Sequence, residues 1–170
     1  MSPGITIRQA TPDDASLIEE MLLEAAHWVD ALGVVMWDEG ELVREAIQAD
    51  VNAGVYYIAD AEGQPAGAVR FQLEDRLFWP DLESDDSAFV HRLIVRRAFK
   101  GQGVSTALLS WAVEQARTRG RAWLRLDCDA ERTKLRDLYL RFGFRFHSYR
   151  QVTSYYVARY ALDVGGWVAQ

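Results

Sequence analysis

The sequence predicts a mixed α/β or α+β fold, in which helices pack on a single sheet. Seven short segments have strand-like patterning, and four segments between them carry apolar residues at helical spacing. The elements follow in the order β-α-α-β-β-β-α-β-α-β-β. Because no repeat, low-complexity stretch or interdomain linker interrupts this order, we expect a single domain over residues 1–170.

The first strand is expected at residues 5–10. The segment TPDD at residues 11–14 is typical of a helix start, and the helical pattern after it ends at Gly33. After an apolar linker, VVMW, a second and shorter helix is expected to end near Gly54.

The rest of the chain alternates strands with two helices. A connection containing Gly and Pro, AEGQP at residues 61–65, separates the first two of these strands. The strands are expected at residues 55–60, 66–73, 88–95, 121–128, 144–149 and 155–162. The helices are expected from Val104 to Gly120 and around Leu135, Leu138 and Phe142, ending at Gly143.

Composition and charge narrow the classes of function. The chain is 49% hydrophobic and 26% charged, as is usual for a globular domain, and its formal net charge of −6 argues against nonspecific nucleic-acid binding. Apolar runs are too short to span a bilayer, and the N-terminus does not resemble a signal peptide. We therefore expect a cytoplasmic protein that binds neither nucleic acid nor membrane. With one cysteine, Cys128, and no metal-ligand spacing, we expect no metal site.

The segment KGQGVS at residues 100–105 lies between an apolar strand and a helix. Free N–H groups at a helix N-terminus favour an anion, and glycine lets a phosphate approach the backbone. A simple turn without a ligand is the alternative. The dinucleotide fingerprint G-x-G-x-x-G is incomplete, since Thr106 stands at its third glycine, and the Gly-Lys-Ser/Thr ending of a P-loop is absent. Four basic residues crowd around this loop: Arg92, Arg96, Arg97 and Lys100.

Two stretches resemble the GCN5-related N-acetyltransferase (GNAT) superfamily. HRLIVRRAFKGQGVSTALL at residues 91–109 resembles its acetyl-CoA-binding strand, loop and helix. RLDC at residues 125–128, followed by LYLRFGF at residues 138–144, resembles its later strand and helix, in the order and spacing of the superfamily. The resemblance implies the GNAT fold, a mixed and mostly antiparallel sheet of about seven strands flanked by about four helices.

The resemblance also implies an acyltransferase, specifically an acetyl-CoA-dependent N-acetyltransferase. Acetyl-CoA would be the acyl-donor substrate, and the acetyl group would pass directly, in a ternary complex, to a primary amine of a small molecule or peptide. The alternative is a catalytically inert acyl-CoA-binding or regulatory module on the same fold. A dinucleotide-binding redox protein is a more distant third.

The cofactor-binding residues follow from the resemblance. The main chain around Leu93, Ile94 and Val95 would polarise the thioester carbonyl. The pyrophosphate would lie on Lys100, Gly101, Gln102, Gly103, Val104, Ser105 and Thr106. Lys100 replaces the usual Gln or Arg, and Ser105 replaces the last Gly or Ala. Arg132 stands where many relatives carry an Asn that contacts the cofactor arm, so that contact stays open.

Two residues are the catalytic candidates. Tyr139 matches the tyrosine that acts as general acid toward the CoA sulfur in many relatives, and a phenol pKa of about 10 is close to that of an alkyl thiol. His91 is the general-base candidate, because arylalkylamine N-acetyltransferases carry a histidine at the matching strand position. Core packing for Tyr139 and a structural hydrogen bond for His91 are the alternatives. Lesser candidates for the base are Glu83, Asp85 and Asp86.

The remaining candidates have weaker support. Cys128 is expected to pack rather than act as a nucleophile, and His27 and His147 to have surface or capping roles. Acceptor-pocket candidates, which could equally be core residues, are Trp28, Trp37, Tyr56, Tyr57, Phe78 and Trp79, with Asp38, Glu39 and Glu41. The apolar segment VGGWVAQ at residues 164–170 is a candidate docking surface for a second subunit, since homodimers are common in this superfamily.

Overall fold

The structure, a computed structural model, describes residues 4–30 and 42–170. The strands are β1 (Ile5–Gln9), β2 (Tyr56–Ala61), β3 (Gln64–Gln72), β4 (Ser87–Val95), β5 (Trp123–Asp129), β6 (Arg145–Val152) and β7 (Tyr155–Asp163). The helices are α1 (Ala15–Asp30), α2 (Arg44–Asn52), α3 (Val104–Thr118) and α4 (Thr133–Phe142). The predicted end of the first helix at Gly33 and the VVMW linker lie outside the described residues.

The seven strands form one mixed sheet in the order β1-β2-β3-β4-β5-β7-β6. The pairs β1–β2, β2–β3, β5–β7 and β6–β7 are antiparallel, whereas β4 and β5 run parallel. The predicted architecture, a mostly antiparallel sheet with about four helices, is therefore confirmed.

The connection between β2 and β3 is shorter than the predicted five residues. Both strands extend until only Glu62 and Gly63 separate them, with φ of 54° and 78°. Two consecutive positive φ values are typical of the two-residue hairpin turns that match strand twist, so Pro65 lies inside β3 rather than in the turn.

Contacts divide the chain into two compact units. The first contains the described residues up to Arg70 together with Arg92–Leu109, and the second contains Phe71–His91 and Ser110–Gln170. In the first unit, α1 and α2 bury apolar side chains such as Ile18 and Ile47 in one cluster with Ile58 of β2. The second unit has its own buried residues, among them Ala112 and Val113 on α3 and Leu124, Leu126, Tyr160 and Leu162 on β5 and β7. Of the helices described, none has the length and apolar character needed to cross a membrane.

Candidate functional site

The glycine loop of the first unit presents unpaired backbone donors. Gly101 and Gly103 have φ of 77° and 83°, a conformation that side chains other than glycine's rarely adopt. The carbonyl of Gly103 accepts the first helical hydrogen bond, from the N–H of Ala107 at 2.9 Å. Among the described residues, no acceptor meets the backbone N–H of Gly101, of Gly103 or of residues 104–106. Five donors at the N-terminus of a 15-residue helix suit a phosphate or pyrophosphate.

Gly67 on β3 allows the two flanks of this loop to approach the strand. A Cβ at this position would lie 2.5 Å from the carbonyl oxygen of Ile94 and 3.0 Å from Cγ1 of Val104. The N–H of Arg96 also donates to the carbonyl of Ala66 at 2.8 Å, which fixes the end of β4 against β3. The sequence analysis missed this residue, although a glycine inside a strand is a known sign of close backbone approach.

Two of the basic residues near the loop have internal partners. The Nε of Arg96 donates to Glu24 at 3.0 Å, and its Nη2 pairs with Glu20, so this guanidinium joins the end of β4 to α1. The Nη1 of Arg92 donates to the hydroxyl of Tyr56 at 3.0 Å. These cations are engaged in the protein's own structure.

Arg97 and Lys100 differ from them. The guanidinium of Arg97 lies 4.5 Å from the ring centroid of Trp28, and the Nζ of Lys100 lies 5.8 Å from it. Neither side chain forms an ion pair within the described part of the chain. Trp28, an acceptor-pocket candidate, thus packs on the two cations that remain available for an anion beside the loop.

The strand before the loop is irregular at Arg92, whose φ is 50°. The parallel pairing of β4 with β5 covers Ser87–Phe89 opposite Trp123–Arg125. Left-handed backbone inside a strand turns neighbouring N–H groups out of the regular ladder. The predicted carbonyl-polarising segment at residues 93–95 lies directly after this irregularity.

His91 lies between two buried carboxylates in the second unit. Its Nε2 is 2.8 Å from Oδ2 of Asp75, and its Nδ1 is 3.7 Å from Oδ2 of Asp127. The side chains of Asp75 and Asp127 are only 6% and 9% exposed, and that of His91 is 14% exposed. The ring of His91 also packs against Phe78, with centroids 5.7 Å apart. We call Asp75, His91 and Asp127 the histidine cluster.

The pKa values of the two carboxylates are shifted in opposite directions. Burial raises the pKa of Asp127 to about 6, and the nearby Asp75 adds to this effect. Burial also opposes ionisation of Asp75, but the contact with His91 and the backbone N–H groups of Phe78 and Leu77 outweigh it, so the pKa of Asp75 is lowered. Asp127 therefore holds or releases a proton near neutral pH, whereas Asp75 stays ionised beside the imidazole.

The histidine cluster is also the place among the described residues where a cation could bind. One ligand atom from each of its three residues lies within 4.8 Å of the other two, and Oδ2 of Asp75 and Oδ2 of Asp127 are both buried without a hydrogen-bond partner. A proton on the imidazole would satisfy the same oxygens. The sequence analysis expected no metal and named His91 but neither carboxylate. Asp127 could have been noticed, because it is an acidic residue inside the apolar strand segment RLDC.

Tyr139 on α4 is buried, with 4% of its surface exposed. Its ring packs against Phe144 and Tyr160, with centroids 5.9 and 6.1 Å away. Within the described part of the chain, no hydrogen-bond partner of its hydroxyl is seen. Burial raises the pKa of Tyr139 above that of a free phenol, and the predicted near-balance with a thiol is shifted toward a hydroxyl that keeps its proton.

Cys128 packs as predicted. The residue is 8% exposed, and burial, together with the negative charge of Asp127, raises the pKa of its thiol to about 12. At neutral pH such a thiol is not ionised, which argues against a covalent acyl-enzyme at this position.

The remaining cofactor-contact and general-base candidates have no described contact with His91. Arg132 is the N-cap residue of α4, and no cap hydrogen bond comes from its side chain. Glu83 and Asp85 are exposed, and Asp85 pairs with Arg121 at 3.0 Å. Asp86 bonds the adjacent Ser87 at 3.3 Å. None of these carboxylates replaces Asp75 as the close partner of His91.

The aromatic acceptor candidates fall into different environments. Tyr56 and Trp79 are buried, with 0% and 2% exposure, so they contribute to cores rather than to an open wall. Phe78 packs on His91, whereas Trp37, Asp38, Glu39 and Glu41 lie outside the described residues. His27 is exposed in the last turn of α1, and His147 is exposed and packs edge-on against Trp79.

Known proteins match both the sequence and the fold. The family model described as Acetyltransferase (GNAT) family matches residues 17–144. YesJ of Bacillus subtilis (strain 168), an uncharacterized N-acetyltransferase, is 28% identical over 153 residues, which cover 86% of this chain and 84% of YesJ.

Solved structures extend the comparison to the three-dimensional fold. A GNAT-family acetyltransferase from Listeria monocytogenes 4b F2365 has a TM-score of 0.76 and 25% identity, over 95% of this chain and 99% of that one. The structure of AAC(6')-Ib in complex with ribostamycin and coenzyme A also has a TM-score of 0.76, with 17% identity over 94% of this chain and 93% of its own. The chain therefore belongs to the acetyltransferase (GNAT) family and is an acyltransferase.

Proposed function

We propose that this chain, as a single GNAT domain over residues 1–170, is a cytoplasmic enzyme that transfers the acetyl group of acetyl-CoA to a primary amine of a small molecule or peptide. The observation that carries the proposal is the histidine cluster, a partly accessible imidazole held between two buried carboxylates. Two such desolvated carboxylates oppose folding unless they are compensated, and buried titratable clusters of this kind are concentrated at catalytic sites.

The glycine loop is the proposed site for the pyrophosphate of the donor. Five free N–H groups, with Arg97 and Lys100 beside them, provide a charge and hydrogen-bond pattern that suits a pyrophosphate. The coenzyme A bound by AAC(6')-Ib supports this donor class. The N–H groups at residues 93–95 are the proposed donors to the thioester carbonyl, and Arg132 a further cofactor contact.

The transfer would proceed without an acyl-enzyme. An acceptor amine enters as an ammonium ion and gives one proton to His91, directly or through a water molecule. The neutral amine attacks the thioester carbonyl, the C–N bond forms and the C–S bond breaks. The leaving thiolate takes a proton from the Tyr139 hydroxyl. The amide nitrogen, which carries one excess proton after the attack, returns a proton to the Tyr139 phenolate, directly or through a water molecule. The amide and free coenzyme A are released, and His91 gives its proton to solvent. Asp75, whose Oδ2 lies 2.8 Å from Nε2 of His91, keeps the imidazole oriented, which makes it a positioning residue.

A small amine is the preferred acceptor class. AAC(6')-Ib was solved with ribostamycin, a small molecule rather than a protein. Of the predicted aromatic acceptor residues, Tyr56 and Trp79 are buried, whereas Phe78 packs against His91 and is the proposed aromatic contact for an incoming amine.

The test is release of the coenzyme A thiol from acetyl-CoA across a panel of amines, with coenzyme A binding measured separately by calorimetry. The panel contains benzylamine, spermidine, ribostamycin and a short peptide with a free N-terminus. We expect turnover with at least one amine, and a fall of about 10- to 100-fold in kcat for Tyr139→Phe with little change in coenzyme A affinity. Tight coenzyme A binding with no turnover on any amine would instead favour the inert acyl-CoA-binding module.

A homodimer is part of the proposal but does not depend on the whole C-terminal segment. Trp167 stacks on Phe142 of its own chain, with centroids 5.3 Å apart, whereas Val168 is 77% exposed. Light scattering of the wild type and of Val168→Glu would show whether that exposed position contributes to association.

A further inference from the structure

A cleft of about 820 Å³ in the second unit is lined by no residue of the histidine cluster. Aromatic rings of Trp123, Phe146 and Trp167 contribute to its walls, and Arg125 and Arg145 supply positive charge. A cleft that combines aromatic surface with a few polar groups has the usual character of a small-molecule site.

Arg125 is the unusual residue in this cleft because it is charged and 8% exposed. Its Nε donates to the hydroxyl of Ser87 at 2.8 Å. Its guanidinium lies between two indole rings, 5.0 Å from the centroid of Trp79 and 5.4 Å from that of Trp123. Ser87 and the two tryptophans therefore hold the guanidinium in a fixed orientation before any ligand binds.

Arg159, in the same unit, is a buried arginine whose charge is paired with a carboxylate. It is 3% exposed, its guanidinium lies 4.5 Å from the ring of the same Trp79, and its two Nη groups donate to the carboxylate of Asp81 at 2.7 and 3.0 Å. The Asp81 carboxylate thus neutralises it through a bidentate ion pair.

Arg125 has no equivalent of Asp81. Within residues 4–30 and 42–170, no carboxylate lies within ion-pair distance of it, and the side-chain hydrogen bond described for it is the one from Nε to Ser87. Burial lowers the pKa of Arg125, and the charge of Arg159 adds to this effect, whereas the more distant charges of Asp86 and Asp81 oppose it. A desolvated cation without a paired anion is an unfavourable arrangement, and a ligand anion would relieve it.

Asp163, the one acidic side chain among the described residues that line the cleft, already accepts hydrogen bonds from its own chain. Oδ1 of Asp163 accepts hydrogen bonds from the N–H groups of Gly165 and Gly166, at 3.0 and 3.3 Å. This carboxylate stabilises the turn after β7 and is not a partner of Arg125.

We propose that Arg125 is the anchor of a binding site for the carboxylate of a small aromatic acid. The two Nη groups would donate in parallel to the two carboxylate oxygens, which is the geometry that a guanidinium favours. The aromatic walls of the cleft would cover the ring of the acid. The site does not depend on acetyl transfer, and its test does not require turnover.

The test is a titration of the full chain with benzoate and with benzamide, its neutral isostere, followed by calorimetry and by tryptophan fluorescence. We expect benzoate to bind at least about tenfold more tightly than benzamide, as loss of a buried charged hydrogen-bond pair implies. Arg125→Gln should remove this preference, and Arg125→Lys should weaken it because an ammonium cannot donate in the same parallel way.

Arg141→Gln is the matched control, since Arg141 is exposed and does not line the cleft. It should leave benzoate affinity within about twofold, because an exposed charge acts only weakly at a distance. Circular dichroism would establish that each variant is folded. Equal affinity for benzoate and benzamide, or an equal loss in Arg141→Gln and Arg125→Gln, would overturn the proposal. If Arg125→Gln does not fold, Arg125→Lys and the benzamide comparison still decide it.

A second arm identifies the source of the carboxylate. Acetylation of 4-(aminomethyl)benzoate is compared with that of benzylamine, which differs only by lacking the carboxylate. A preference for the acid that Arg125→Gln abolishes would assign the carboxylate to the acceptor. Benzoate binding without such a preference would assign it to a separate ligand.

Discussion

The glycine loop and the histidine cluster differ in the groups that they present: backbone N–H groups in the loop and side chains in the cluster. The loop, in the first unit, presents backbone N–H groups from one continuous segment, residues 101–106. The cluster, in the second unit, brings together side chains from the connection after β3, from β4 and from β5. Backbone donors tolerate many side-chain changes provided that the φ values are kept, whereas a buried charge cluster depends on each member. The loop should therefore be robust to substitution and the cluster fragile.

The largest effect is expected at the centre of the cluster. His91→Ala should lower kcat/KM for acetyl transfer by about 100-fold or more, since positioned general bases typically contribute that much. The measurement is steady-state kinetics with the amine that the wild type acetylates best. His27→Gln, at an exposed histidine on α1, is the control and should behave as wild type. A loss of less than about threefold in His91→Ala would exclude it as the base.

The next effect concerns stability. Because the pKa of Asp127 is raised in the folded chain to about 6, the folded state binds this proton more tightly than the unfolded state does. Its contribution to the free energy of unfolding is therefore greatest below about pH 4 and is lost as pH rises through about 6. The full loss should be about 3 kcal/mol.

Asp127→Asn should remove that pH dependence. Urea unfolding of wild type and variant at pH 4.5 and pH 7.5 measures it, as the change in their stability difference between the two conditions. Asp137→Asn, at an exposed carboxylate on α4, is the matched control and should show no such change. A constant difference between wild type and Asp127→Asn would mean that Asp127 titrates as an ordinary carboxylate.

A substitution that strains the backbone of the glycine loop should weaken coenzyme A binding more than a change to one of its side chains. Gly103→Ala places a side chain at φ of 83°, which costs about 1–2 kcal/mol, and we expect about tenfold weaker coenzyme A binding by calorimetry. Gly63→Ala imposes similar strain, at φ of 78° in the hairpin turn. Gly63→Ala should lower the melting temperature without weakening coenzyme A binding. An equal loss of coenzyme A affinity in Gly63→Ala and Gly103→Ala would contradict the proposal that the glycine loop binds the cofactor.

The smallest effect is expected from a side chain of the loop. Lys100→Gln should weaken coenzyme A binding by only about two- to fivefold, and the difference should shrink in high salt, because an exposed cation is screened. Lys134→Gln, at the only other lysine of the sequence, is the control. A loss as large as that of Gly103→Ala would show that the loop binds through side chains and not mainly through its backbone.

The two sites also differ in how far the sequence could predict them. The loop was predictable because its glycines, Ser105 and the helix start are adjacent in the chain. Asp75 was not, since no local pattern indicates which carboxylate of a 14-residue connection between β3 and β4 reaches His91. Arg96 was grouped with the cations near the loop, but its pairing with Glu20 and Glu24 depends on the packing of α1. Strand order and helix boundaries follow local periodicity, whereas partners across elements require the tertiary structure.

The single thiol of the chain has a practical consequence. With a pKa of about 12 and 8% exposure, Cys128 should be nearly inert toward maleimides, iodoacetamide and peroxide at neutral pH. The enzyme should then keep its activity under oxidising storage. A cysteine introduced at an exposed position, as in Lys134→Cys, would carry a fluorophore or spin label at that one place, without first removing the native thiol.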